Sequence, residues 1–117
     1  AKAAIGSVWR EHHYLCDTHT AVAWDVAQQY KEENADHNAV VVLSTASPYK
    51  FPAAVLEGIG ESAKGDEFDV MEQLHDVTGV PVPKNLAGLR SREVRHRDVI
   101  EQGDMLAYVL KRAEKED

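Results

Sequence analysis

The side chains most able to do chemistry lie together in residues 44–52, in the order Ser-Thr-Ala-Ser-Pro-Tyr-Lys-Phe-Pro. They follow the apolar residues 39–43, a short run rich in Val that is typical of a buried parallel strand. In open α/β sheets a ligand sits at the carboxyl ends of the strands, where the next helix directs free N–H groups toward it. The hydroxyl groups of Thr45 and Ser47 therefore stand where a small ligand would be held.

The elements that must position these hydroxyls are predicted to be one clear strand and several helices. The strand covers residues 40–44, and residues 93–100 could form a second, weaker strand. One strand is too few for a sheet, so its pairing partners would lie outside this chain. The sequence therefore predicts an α/β fragment, mostly helices around one central strand. The alternative is a compact helical domain with one peripheral strand.

Helical periodicity and end signals predict five helices. The first covers residues 3–12, the second runs from the N-cap Asp17 to about residue 33, and the third covers residues 51–59. A fourth follows Asp66 and stops at Gly79. The last follows Gly103 and ends in the cations Lys111, Arg112 and Lys115.

Each predicted helix needs an apolar face toward the core. On the second helix the apolar positions are Val22, Ala23, Val26, Ala27 and Tyr30. On the fourth they are Phe68, Met71, Leu74 and Val77, and on the last they are Met105, Leu106, Val109 and Leu110. We expect all of these positions to be buried, and residues 80–88 to form an irregular, Pro- and Gly-marked connection.

Length, charge and cysteine use exclude several classes of protein. A chain of 117 residues forms one domain at most, and its net charge of -7 disfavours nucleic acid and anionic membranes. No apolar stretch approaches the roughly 20 residues that span a bilayer. The single Cys16 excludes an internal disulfide and suits a cytoplasmic location. We expect a solvated or intramolecular role for the basic patch, Arg90, Arg92, Arg95, His96 and Arg97.

Several ordered motifs are similar to one family. Residues 44–52, preceded by Asp-Thr-His-Thr-Ala-Val-Ala at residues 17–23, resemble the C-terminal part of the threonine synthase family. Residues 78–89 (Thr-Gly-Val-Pro-Val-Pro-Lys-Asn-Leu-Ala-Gly-Leu) and 93–96 (Glu-Val-Arg-His) resemble later segments of the same family, in the same order. The resemblance implies a C-terminal fragment of a fold type II enzyme that depends on pyridoxal phosphate (PLP).

The resemblance also implies an activity and partners. The family converts O-phosphohomoserine to threonine and phosphate, and this chain would contribute one wall of the cofactor site. The Schiff-base lysine of the family lies much earlier than this chain, so the chain alone is expected to be inactive and to hold no PLP. Expected partners are the substrate O-phosphohomoserine in the intact enzyme and the rest of the parent chain. The unpaired strand also predicts self-association of the isolated fragment.

Residue roles carried over from the family centre on Thr45. Such enzymes place a Ser or Thr hydroxyl against the pyridine nitrogen of PLP, and the family's Thr-Ala pair matches Thr45 and the residue after it. Ser44 is the neighbouring alternative. Candidates for binding the substrate or another anion are Lys50, at the start of the third helix, with Ser47 and His19. The family usually has Pro where Thr18 stands here.

Other interpretations of the same residues were weighed against this one. His12, His13, Cys16 and His19 offer zinc-compatible side chains, but no second ligand pair follows, and the resemblance implies no metal. Residues 47–50 match the Ser-x-x-Lys nucleophile motif without its partner motifs. The alternative function is a free-standing, non-catalytic α/β domain that binds a small anion or a protein partner.

Overall fold

Helices and 3-10 turns are the regular secondary structure of the part that the computed structural model describes, residues 1–114. Helices α1 and α2 cover Lys2–His12 and Thr18–Asn34. Helices α3 and α4 cover Pro52–Gly58 and Glu67–Thr78. Helices α5 and α6 cover Lys84–Ala87 and Met105–Ala113. Single 3-10 turns lie at Pro48–Lys50, Leu89–Ser91 and Gln102–Asp104.

The hydrophobic core lies where α1, α3 and α4 meet. Ile5 of α1, Val55 and Leu56 of α3, and Leu74 of α4 are completely buried there. Tyr49 closes one side, and its hydroxyl donates a hydrogen bond to the carbonyl oxygen of Val80. Helix α3 is the centre of this arrangement, because it contacts both α1 and α4.

Two glycines let α1 and α3 approach closely. A Cβ atom added at Gly6 would overlap the carbonyl oxygen of Gly58. A Cβ atom added at Gly58 would lie 2.9 Å from the Cβ atom of Ile5. Gly58 therefore serves the packing of α1 against α3.

The predicted ends of α2 and α4 are confirmed. Asp17 caps α2, and Asp66 forms a capping box with Asp69 at the start of α4. Helix α4 ends at Gly79 in the left-handed conformation, with φ of 69°. These ends depend on local hydrogen bonds, which explains why the sequence located them.

Arg90 has the intramolecular role expected for the basic patch. Its Nη2 atom donates to the Oδ1 atoms of Asp66 and Asp69 at 2.8 and 2.6 Å. The guanidinium also lies 5.1 Å from the centre of the Phe68 ring. The connection predicted to be irregular thus contains one short helix, α5, and then anchors to α4 through Arg90.

The predicted central strand is not confirmed for the described residues. Residues 40–44 are not in a strand, and no strand is found within residues 1–114. Val41 and Leu43 expose 84% and 74% of their surface. The second candidate, residues 93–100, is also exposed and forms no strand. A strand exists only through backbone pairing with a neighbour, and the described part of the chain supplies none.

The predicted burial of two helix faces is wrong. Val22, Val26 and Tyr30 of α2 are about half exposed. Val77 at the end of α4 is exposed, as are the four apolar side chains of α6, Met105, Leu106, Val109 and Leu110. Within residues 1–114 no element covers these faces, so the helices form as predicted while their apolar sides face solvent. Lys115 lies outside the described residues.

No helix within residues 1–114 combines the length and the apolar character that crossing a membrane requires.

Candidate functional site

The candidate site is built on the carboxylate of Asp17 at the start of α2. Its Oδ1 atom accepts hydrogen bonds from the backbone N–H groups of His19 at 2.8 Å and Thr20 at 3.2 Å. Its Oδ2 atom accepts the hydroxyl of Thr20. Only 1% of Asp17 is exposed. Burial raises the pKa of Asp17, but the hydrogen bonds from Thr20 and His19 outweigh it, so the pKa lies below its usual value.

Thr20 connects this cap to the segment that carries the predicted cofactor residues. Its Oγ1 atom lies 3.3 Å from the Oγ atom of Ser44. The single hydroxyl proton of Thr20 is directed to Asp17, because a carboxylate can only accept. The Ser44 hydroxyl must therefore donate in its contact with Thr20. The structure thus unites the Asp-Thr-His-Thr and Ser-Thr-Ala-Ser motifs, which are distant in sequence.

Thr45, the residue expected at the cofactor, is exposed beside this network. Among the described residues, no side-chain hydrogen bond involves its hydroxyl. Ser44 is exposed as well, but its hydroxyl is engaged by Thr20. The two neighbouring hydroxyls therefore differ. The proton of Ser44 is used in the contact with Thr20, whereas no described residue engages the proton of Thr45.

Ser47 has a structural role at the next turn. Its side-chain oxygen accepts the backbone N–H of Tyr49 at 3.2 Å and so caps the 3-10 turn Pro48–Lys50. Lys50 ends this turn, two residues before α3, rather than lying in the first turn of α3 as expected. The ring of Tyr49 is anchored in the core, which fixes the turn in place.

Lys50 and His19 both lie beside the ring of Phe51. The Nζ atom of Lys50 lies 5.6 Å from the centre of the Phe51 ring. The imidazole of His19 lies 5.8 Å from the same ring, tilted by 47°. His19 Nδ1 is also 3.4 Å from Asp17 Oδ1. Sequence reasoning missed Phe51 as a member of this site, although the residue belongs to the quoted motif.

Comparison with known proteins places these motifs in one family. The family model described as threonine synthase, C-terminal, matches residues 20–108, about three quarters of the chain. The chain belongs to the threonine synthase C-terminal family. The matched range includes Thr20, Ser44, Thr45, Ser47 and Lys50, whereas Asp17 and His19 lie just before it.

A curated relative agrees with the family match. Threonine synthase of Corynebacterium glutamicum is 37% identical to this chain over 65 residues. The aligned part is 56% of this chain and 13% of the relative, so the chain spans only a small part of that protein. No solved structure matches the chain.

An apolar groove of about 340 Å³ adjoins the hydroxyls of this threonine synthase C-terminal chain. Thr20 and Ser44 lie at its polar end. The remaining lining is mostly apolar or aromatic. It comes from α1, the α1–α2 connection, α2 and residues 39–46, which are termed the extended segment: Val8, His12, Tyr14, Cys16, Trp24, Val40 and Val42. The alternation of residues 40–43 explains this lining, because Val40 and Val42 face the groove while Val41 and Leu43 do not.

The side chains weighed as zinc ligands have other contacts in the structure. His13 packs edge-on against Trp9, and His12 packs against Trp24. Cys16 is buried, and its burial and then the adjacent charge of Asp17 raise the pKa of the thiol. No group of three or more candidate metal ligands is found within residues 1–114.

Proposed function

We propose that this chain is the C-terminal part of an enzyme that converts O-phosphohomoserine to threonine and phosphate with PLP. In this proposal the chain supplies one wall of the cofactor site. Membership of the threonine synthase C-terminal family and the similarity to a threonine synthase support it. The observation that carries it is the different engagement of the hydroxyls of Ser44 and Thr45.

The residues present fit the pyridine end of PLP. When bound, PLP supplies an electron sink for the bond changes in the substrate, and the state of its pyridine nitrogen sets the strength of that sink. An unprotonated ring nitrogen accepts a hydrogen bond, so its partner must bring a proton. The proton of Ser44 is directed to Thr20, whereas the exposed Thr45 hydroxyl has its proton to donate. This difference supports Thr45 as the partner of the nitrogen.

Lys50, His19 and Ser47 are the proposed contacts of the substrate phosphate. Lys50 carries a positive charge, and its ammonium group and the His19 ring both lie close to the Phe51 ring, 5.6 and 5.8 Å from its centre. The Ser47 hydroxyl keeps its proton, because only its oxygen is used in capping the turn. A doubly charged phosphate suits such a set of donors.

The backbone N–H groups at the start of α2 have a different use. Those of His19 and Thr20 are already bonded to Asp17, which leaves fewer main-chain donors for an anion at this end of the helix. This supports a role for the side chain of His19 rather than for the helix terminus.

The rest of the parent chain is the proposed partner of the exposed apolar surfaces. The backbone groups of residues 39–46 form no hydrogen bond with the described part of the chain. Their pairing with a strand of the parent chain would create the sheet that the sequence predicted. The lysine that carries the cofactor in this family would come from that parent chain, so we expect the present chain alone to be inactive.

The test is Thr45→Val in the full-length enzyme that contains this chain. The substitution keeps the shape and removes the hydroxyl, which leaves the nitrogen of PLP without its donor. Such a loss costs about 1–3 kcal/mol, and each 1.36 kcal/mol is about tenfold in rate. We expect turnover to fall by about 5- to 150-fold and the absorbance of the bound cofactor to shift.

Two matched variants make the result specific. Thr45→Ser keeps the hydroxyl and should retain both the wild-type spectrum and most of the turnover. Ser44→Ala should have a smaller effect than Thr45→Val, because it removes no direct contact with PLP. Normal turnover and an unchanged spectrum in Thr45→Val would contradict the proposal for this residue. A larger effect of Ser44→Ala would transfer the role to Ser44.

A further inference from the structure

The proposed function assigns no role to Thr20, although this residue contacts both Asp17 and Ser44. It is 6% exposed and lies between the buried carboxylate of Asp17 and the exposed hydroxyl of Ser44. It touches neither Thr45 nor the groups proposed for the substrate phosphate in any described hydrogen bond.

Within residues 1–114, the contact between Thr20 and Ser44 is the one hydrogen bond that joins residues 39–46 to a helix. Within the described part of the chain, residues 39–46 form no other hydrogen bond outside the segment. Their ends are held by Asn38, whose N–H bonds to Asp36, and by the turn that Ser47 caps. Among the described hydrogen bonds, the contact with Thr20 is the one that restrains Ser44 between these ends.

The direction of the hydrogen bonds makes this attachment specific. Asp17 receives the backbone N–H of Thr20 as well as its hydroxyl, which fixes both the main chain and the side-chain rotamer of Thr20. The lone pairs of the Thr20 oxygen then face Ser44, whose hydroxyl is the donor. Thr45 is the next residue, so its backbone position follows from that of Ser44.

We propose that Thr20 is a positioning residue that acts through Ser44 to hold the Thr45 hydroxyl at the pyridine nitrogen of PLP. This inference rests on the proposed function. Thr20 touches no reacting atom, and its contribution is to restrict the positions that Thr45 adopts before the cofactor binds. Its loss then weakens cofactor binding because the segment must be ordered at the moment of binding.

The experiment compares Thr20→Val and Thr20→Ser in the full-length enzyme, each with and without Ser44→Ala. One readout is the dissociation constant of PLP. The second is the NMR order parameter of the Thr45 methyl group in the enzyme without cofactor, which does not depend on activity. We expect Thr20→Val to weaken PLP binding about 3- to 10-fold, the scale of one neutral hydrogen bond, and to lower the order of the Thr45 methyl group.

Two further variants distinguish a positioning role of Thr20 from a general effect on the stability of the fold. They are the conservative substitution Thr20→Ser and the double variant Thr20→Val with Ser44→Ala. Thr20→Ser keeps the hydroxyl and should behave like the wild type in both readouts. In the Ser44→Ala background, Thr20→Val should add no further loss, because its effect passes through Ser44. Additive losses, or an unchanged Thr45 methyl order in Thr20→Val, would overturn the proposal.

Failure of the proposed function would look different. If Thr45→Val leaves the cofactor spectrum unchanged, the role of Thr45 at the nitrogen is wrong. The methyl order of Thr45 in the cofactor-free Thr20→Val variant would still show whether Thr20 positions this segment. A folded state for every variant is checked by thermal unfolding before either readout is interpreted.

Discussion

At the scale of single residues, Asp17 contributes both to the start of α2 and to the candidate site. One carboxylate caps α2, fixes the hydroxyl of Thr20 and lies 3.4 Å from the ring nitrogen of His19. All of these contacts favour the charged form, and they hold the pKa of Asp17 low despite its burial. The start of α2 and the candidate site therefore depend on the same negative charge.

The charge of Asp17 predicts that the free energy of unfolding depends on pH. Because the folded pKa of Asp17 is lowered, its contribution is fully present above the unfolded value of about 3.9 and is lost as the pH falls through the folded pKa. We expect the urea midpoint of the chain to fall as the pH drops below about 4. In Asp17→Asn this part of the fall should be missing.

Asp25→Asn is the matched control, since Asp25 lies on an exposed position of the same helix. It should leave the pH profile of the urea midpoint close to that of the wild type. An identical profile in Asp17→Asn and wild type would show that Asp17 does not supply the pH dependence.

At the scale of elements, the packing of α1 on α3 depends on the absence of two side chains. Gly6 lies against the carbonyl oxygen of Gly58, and Gly58 lies against Ile5 and the carbonyl oxygen of Lys2. Lys2 also forms an ion pair with Glu57 at this junction. Backbone atoms on both sides leave little freedom to adjust, so neither helix can accept a larger residue here without moving.

Gly6→Ala should therefore destabilise the chain. Ala favours a helix over Gly by about 0.8–1.0 kcal/mol, but overpacking against a backbone carbonyl costs about 1–3 kcal/mol. We expect a net loss in the free energy of unfolding, measured by urea denaturation. Gly88→Ala is the control, because a Cβ atom there meets nothing within 4 Å. Its effect should stay within about 0.5 kcal/mol. A Gly6→Ala variant more stable than wild type would contradict the close approach.

At the scale of the whole molecule, the chain is extended. Its radius of gyration is 18.8 Å, against about 13 Å for a compact domain of this length. Apolar faces on α2 and α6, together with Val41 and Leu43, are exposed on this long body. Such surfaces are typical of proteins that associate with another chain or segment.

The isolated chain should consequently self-associate, and the extended segment should contribute. Replacing Val41 and Leu43 with Lys would place charges on two exposed apolar positions of the segment whose backbone groups are unpaired within residues 1–114. Burial of one such side chain is worth about 1.5–3 kcal/mol. We therefore expect the dissociation constant from sedimentation velocity to rise about tenfold or more.

The control carries the same change in net charge on the polar side of α2, in Gln28→Lys combined with Glu32→Gln. It should leave self-association nearly unchanged. A monomeric wild-type chain at all concentrations, or equal effects of the two charge variants, would exclude the extended segment as the contact.

The sequence by itself predicted the helix ends and the family, which are confirmed, and it proposed Thr45, Ser44, Lys50, Ser47 and His19 as site residues, whose roles stay predictions. Asp17, Asp66 and Gly79 act through hydrogen bonds within a few residues, so their roles are visible in the local sequence. The motif that includes Ser44 and Thr45 likewise lies within the range that matches the family. Local chemistry and motif order were sufficient for these conclusions.

Only the tertiary structure decided which backbone segments pair as strands and which apolar side chains are exposed. A Val-rich run marked residues 40–44 as a strand, and helical periodicity marked α6 as a buried helix. Both conclusions require a neighbour that residues 1–114 do not provide. The contact between Thr20 and Ser44, and the placing of Lys50 and His19 beside Phe51, also join distant parts of the chain. Burial and strand pairing are properties of two surfaces together, and a local sequence pattern describes only one of them.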